Sequence, residues 1–229
     1  MSKILETELK NINNKLLSLC HKVEESVAKS VFAVTHQSLA EAEQVIENDR
    51  AIDTLEVELE ELCLRVLATQ QPVARDLRYI VAVFKVNNDL ERIGDLAVNI
   101  AKRSKSLIDP KAKPFANLFP IKEICDKTTQ MLRSSFATLI DADVTKAHSI
   151  RQQDQEIDEL NREFFKIFIA AAKSDPLHIE YMLAYTSISR HLERICDYAT
   201  NIVEDIIYLV EGKIIRHNPK VPEGVEFKK

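Results

Sequence analysis

A chain of 229 residues with three glycines, no tryptophan and a formal net charge of −5 can bury one large core or two small ones. So few glycines sit badly with the many turns of a β-rich fold, while abundant Leu, Ala, Glu, Lys and Ile favour helices. The acidic balance and the lack of a basic run argue against a nucleic-acid surface. No apolar stretch nears the roughly 20 residues of a membrane helix. The first residues lead straight into a charged amphipathic pattern, so a cytoplasmic, all-α protein without membrane insertion is expected. Cys20, Cys63, Cys125 and Cys196 show no C-x-x-C spacing and read as small, reduced core residues.

Sparse punctuation makes the elements readable in chain order. One helix is predicted over 4–35 and a second over 38–69. Pro72 suits the first turn of a third, which runs to about 107. Asp109-Pro110-Lys111-Ala112-Lys113-Pro114 breaks the pattern and reads as a linker. A fourth helix follows over 119–139 and a fifth over 144–172; Ser174-Asp175-Pro176 then opens a sixth that ends near 211–212. The last stretch, 213–229, carries Pro219, Pro222 and Gly224 and is expected to leave the packed body.

The chain repeats itself. Leu90-Glu91-Arg92-Ile93-Gly94-Asp95-Leu96-Ala97-Val98-Asn99-Ile100 returns as Leu192-Glu193-Arg194-Ile195-Cys196-Asp197-Tyr198-Ala199-Thr200-Asn201-Ile202, an offset of 102. Asp49-Arg50-Ala51-Ile52-Asp53-Thr54-Leu55 returns as Asp154-Gln155-Glu156-Ile157-Asp158-Glu159-Leu160, an offset of 105. A second inter-helix turn shorter by three residues accounts for the difference. The implied architecture is two tandem antiparallel three-helix bundles, six helices in all, related by internal duplication: 1–108, then 115–212.

The repeated segments carry a chemical signal. Glu91, Asp95 and Asn99 lie within about 80° of one another on a helical wheel, opposite Ile93, Ala97 and Ile100. On the preceding helix, Asp49, Asp53, Glu56 and Glu60 lie within about 60°, beside an Ile52, Leu55, Leu59, Leu62 stripe. Acidic i,i+4 pairs repel by roughly 0.2–0.5 kcal/mol in an isolated helix. One such pair is ordinary on a solvated face. Four pairs in two matching sets suggest that adjacent helices supply oxygens to a cation. Carboxylates suit magnesium, manganese, iron or zinc, and the pattern does not choose among them. Gly94 sits mid-helix where its counterpart is Cys196, so the shared geometry does not require it; sequence drift is the simpler reading, and a close approach of another helix or a ligand is the alternative. His191 is a weaker ligand candidate, because positions i and i+2 point apart.

These acidic repeats, the Leu-Glu-Arg-Ile-x-Asp segments and Gln71-Pro72-Val73-Ala74-Arg75-Asp76-Leu77-Arg78 resemble the PhoU family over nearly the whole chain. The resemblance implies two three-helix bundles, a cytoplasmic homodimer and a role in phosphate homeostasis rather than an enzyme. It implies negative regulation of the phosphate-starvation response and of phosphate uptake. The partners it implies are the ATPase subunit of a phosphate ABC transporter and a membrane-bound sensor histidine kinase. It also implies metal clusters on the acidic faces. Carried over by position, the metal ligands would be Asp49, Asp53, Glu91 and Asp95 in the first unit. In the second they would be Asp154, Asp158, Glu193 and Asp197, with Asn99, Asn201 and Glu56 in reserve. The second unit departs from the first at 174–179 and in having Asn161 where the first has Glu56, so metal occupancy can differ between them.

Two other readings compete. A ferritin-like di-metal carboxylate oxidase would use Glu-x-x-His pairs facing inward. None of the six histidines follows a glutamate at that spacing, and the carboxylates are expected on the outer side of each bundle. A structural helical protein with charged faces and no ligand is the other. No G-x-x-x-x-G-K loop offers a phosphate cradle.

Overall fold

In the computed structural model, residues 3–212 are described, except that the side chains of 147 and 148 are not; the expected tail, 213–229, lies outside them. The six long helices are α1 (Lys3–His36), α2 (Leu39–Gln70), α3 (Ala74–Ser104), α5 (Ile121–Asp141), α6 (Ala147–Ser174) and α7 (Ile179–Glu211). A one-turn helix, α4 (Lys113–Ala116), interrupts the connection between the halves. No strand occurs among the described residues.

Local chemistry explains the boundaries. α1 ends at Gln37, whose φ is 53°, and Ser38 then caps α2 by accepting from the Glu41 backbone N–H at 3.4 Å. α2 ends the same way at Gln71, whose φ is 47°. Pro72 lies buried in the turn before α3, not in its first helical turn as expected. α7 starts three residues later than Pro176, after a 3-10 turn over Pro176–His178.

The expected linker is a second departure. Residues 105–112 fold into two 3-10 turns, and Leu107, Ala112, Phe115 and Phe119 are all buried. Asp109 accepts from the Lys111 N–H at 2.9 Å and from the Tyr181 hydroxyl at 2.7 Å, fastening the connection to α7. Phe119 stacks on Phe164 and Tyr185, with centroids 5.3 and 5.4 Å away. Prolines at 110 and 114 ended the helical periodicity without preventing burial.

α1, α2 and α3 pack on one another, as do α5, α6 and α7, but the largest single contact is between halves, where α3 runs along α7. The two are antiparallel: Lys85 faces Asp205 at 3.2 Å, while Tyr181 reaches the connection after α3. Asp205 is almost fully buried, and Lys85 also lies over the Tyr208 ring, 5.1 Å from its centroid. α1 meets α5 beside this seam, so α2 and α6 flank a shared four-helix centre. One continuous apolar core runs through both halves. All four cysteines are buried and free, and burial pushes the thiols of Cys20, Cys63 and Cys125 up to about 12, which suits inert core residues.

The duplication persists in side-chain contacts. Asn87 donates from Nδ2 to the Glu56 carbonyl and to Oε1, both at 3.0 Å. At the matching positions, the Ser189 hydroxyl donates to Asn161 Oδ1 at 2.8 Å.

Candidate carboxylate clusters

The α2–α3 groove and the α6–α7 groove each carry one of the two predicted sets. In both helix pairs the apolar stripe turns inward: Ile52, Leu59 and Leu62 with Ile93, Ala97 and Ile100 are buried in the first. Ile157, Phe164, Ile195, Ala199 and Ile202 are buried in the second. That rotation leaves the acidic positions along the groove between the helices rather than wholly out in water. Asp49, Glu91, Asp154, Asp158 and Glu193 are half-buried; Asp53, Asp95 and Asp197 are exposed.

Their electrostatics show which groups meet. Partial burial, then the charges of Asp53 and Asp95, raise the Asp49 carboxyl above the ordinary carboxylate range. Partial burial followed by the Asp95 charge raises Glu91, with Arg92 opposing and Glu56 and Asp53 adding to it. The four predicted carboxylates of the first unit therefore share one field, and Glu56 joins them. Glu56 is itself raised by burial and by Glu60 and Asp53.

The second cluster is the more strained. Desolvation and the charges of Asp197, Asp158 and Glu193 lift Asp154 to about 7. Burial, Asp197 and Asp158 raise Glu193, and burial with Asp158 raises Asp197. Thr200 lies near Asp154 and works against part of that shift, although its buried hydroxyl makes no hydrogen bond among the described residues. The first unit has Val98 there. Thr200 was not among the sequence candidates, although its position three residues after Asp197 marked it as a neighbour on the helix face.

Little in the protein neutralises these groups. Among the described residues, Glu91 is the one member of the eight in an ion pair, with Arg92 Nε at 3.5 Å. An all-oxygen set of this kind, offset only in part by the nearby charges of Lys102, Arg92, Arg190 and Arg194, fits a hard or borderline cation by its chemistry. As placed, however, no group of three or more His, Cys, Asp or Glu side chains among the described residues is arranged to hold a metal ion. The carboxylates stand as neighbouring groups across a groove, not as a closed ligand shell.

The weaker candidates separate. His191 faces Arg194, Arg103 and Arg190; burial first, then those charges, push its pKa down, and Nε2 lies 3.5 Å from the Ser187 hydroxyl. Asn99 is exposed and Asn201 half-buried.

Gly94 has a physical role that the comparison with Cys196 hid. A Cβ on Gly94 would meet Ile52 Cγ2 at 3.2 Å and Cδ1 at 3.3 Å, so glycine sets the close approach of α2 and α3 between their acidic pairs. Gly94→Ala should change stability by less than about 1 kcal/mol, since better helix propensity offsets a small displacement of Ile52. Gly94→Leu has no room and should cost about 2–3 kcal/mol in urea denaturation. Equal effects of the two would mean that the approach is not limiting.

The family model described as the PhoU domain matches residues 16–104 and 121–206, one match per unit. The chain is 36% identical over 211 residues to the phosphate-specific transport system accessory protein PhoU homolog of Aquifex aeolicus, covering 92% of this chain and 94% of that protein. To the homolog of Pseudomonas putida it is 35% identical over 217 residues, covering 95% and 84%. The crystal structure of PhoU from Pseudomonas aeruginosa superposes with a TM-score of 0.84 at 32% identity, over 91% of this chain and 99% of that one. The phosphate transport system regulatory protein PhoU from Streptococcus pneumoniae gives a TM-score of 0.79 at 28% identity, over 92% and 98%.

Proposed function

Because the chain belongs to the PhoU family, we propose that it is a non-enzymatic regulator restraining phosphate uptake and the phosphate-starvation response. The observation that carries this reading is end-to-end similarity to accessory proteins of phosphate-specific transport, with both repeats retained. Its partners in this reading are the transporter's ATPase subunit and a sensor histidine kinase, met in the cytoplasm by a homodimer. No described helix is long and apolar enough to cross a membrane, which suits a protein that docks on membrane-bound partners.

The two carboxylate clusters are the metal sites of this proposal. Asp49, Asp53, Glu91 and Asp95 would hold one divalent or transition cation set, and Asp154, Asp158, Glu193 and Asp197 the other. Side-chain rotation about χ1 and χ2 would bring the oxygens together. A bound cation would supply positive charge where the chain has little, tying α2 to α3 and α6 to α7.

Deleting the gene should switch on phosphate-starvation genes in phosphate-rich medium; continued repression there would contradict a restraining role. Metal content is an independent measurement. Protein purified without chelators and carrying Glu91→Gln, Asp95→Asn, Glu193→Gln and Asp197→Asn should contain less metal than wild type. Unchanged metal content would remove these residues from the sites while leaving the regulatory role standing.

A further inference from the structure

The two halves diverge where the α6–α7 groove runs on past the second carboxylate cluster. There Phe165, Phe168 and Leu183 line a groove of about 580 Å³, with Arg162, Lys166 and Arg190 around it. Phe165 and Leu183 are 56% and 55% exposed, and all three cations are exposed. None of the three forms an ion pair among the described residues; Arg162 spends its Nε on the Asp158 carbonyl, 3.2 Å away. The duplication supplies an internal control. By the offsets of 105 and 102, the first unit has Val57 for Arg162, Glu60 for Phe165, Glu61 for Lys166 and Asn88 for Arg190. The shared fold therefore needs neither the charge nor the aromatic ring. An exposed apolar surface ringed by cations outside any ion pair marks a place of contact.

We propose that this groove docks an acidic amphipathic helix of a partner protein. Its apolar side chains at i, i+4 and i+7 would lie against Phe165, Phe168 and Leu183, and its carboxylates would meet Arg162, Lys166 and Arg190. The lining residues cover about two helical turns on each wall, roughly 10 Å, which matches the span from i to i+7. The groove is lined from α6 on one side and from α7 on the other, a cleft that a helix fills and a flat anionic bilayer does not. Asp158 and Glu193 lie about one helical turn beyond Arg162 and Arg190, so their carboxylates mark where an acidic ligand must stop at that end of the groove. None of the eight proposed metal ligands lines the groove, although Asp158 and Glu193 border it, so peptide binding and metal content are measured separately.

The probe is a fluorescein-labelled synthetic helix of about eighteen residues, with Leu at i, i+4, i+7 and i+11 and Glu on the flanking positions, titrated with the full-length chain. Saturable binding is expected, weakened on the order of tenfold or more by R162E together with K166E, and weakened again at about 0.5 M salt. Both substitutions are on the surface, and an unchanged melting temperature will show that the fold is kept. Equal binding of a peptide with Lys in place of Glu, no saturable binding, or unchanged affinity in the double variant would each overturn the proposal. So would binding of the chain to phosphatidylglycerol vesicles without binding to the peptide.

Discussion

Metal-free protein is expected to lose stability as the pH rises from about 4 to about 7, with Asp154 the largest single source. Its folded pKa is near 7 against an unfolded value near 3.8, so in that window the folded state holds a proton that the unfolded state has released. Stability contributed by that proton is full below the unfolded value and is lost as the pH passes the folded one. Asp154 is only partly buried, so after discounting for solvent screening the loss is about 2 kcal/mol. Asp49, Glu91, Glu193 and Asp197 are raised as well and push in the same direction. Urea denaturation in EDTA, at pH 4.5 to 7.5, measures the slope, and Asp154→Asn, which mimics the protonated group, should flatten it. A variant as pH-dependent as wild type would take Asp154 out of the account. A cation can replace the missing proton: at about one hundred times its Kd it would add about 2.7 kcal/mol at neutral pH.

Leu90→Ala and Leu192→Ala should each cost about 3 kcal/mol, or roughly 6–12 °C in Tm. The two leucines occupy the same place in the repeat, on α3 and α7, and both are fully buried. Truncation removes apolar contact and leaves a cavity that the surrounding helices close only in part. Because α3 and α7 pack against each other more extensively than any other pair of elements, either substitution should lower one common transition. Calorimetry would test this. Two separated transitions, with only one moved by each variant, would mean that the halves fold independently in spite of the seam.

The acidic clusters were largely legible in the chain itself, because they rest on local periodicity. Glu91 and Asp95 sit four apart on one helix, and geometry alone puts them on one face. The pairing of that face with Asp49 and Asp53 was also legible, since short turns force consecutive helices together. How deeply the carboxylates sit was not. Helical wheels put them on the outside, whereas the groove between packed helices half-buries Asp49, Glu91, Asp154 and Glu193 and so raises them. Gly94 was read as drift for a related reason: what a Cβ would strike is Ile52, on a different helix.

By itself the sequence determined the helices, the duplication and the residue types gathered on each acidic face. Each of these follows from spacings of three and four residues, or from an offset that can be read along one dimension. Tertiary structure alone decided that 109–119 is packed and not a free linker, through the burial of Phe115 and Phe119 and the hold of Asp109 on Tyr181. It also decided that the halves share one core along α3 and α7, and that the α6–α7 groove presents cations around an apolar floor. These are contacts between residues far apart in the chain, and no local periodicity encodes which distant surfaces will meet.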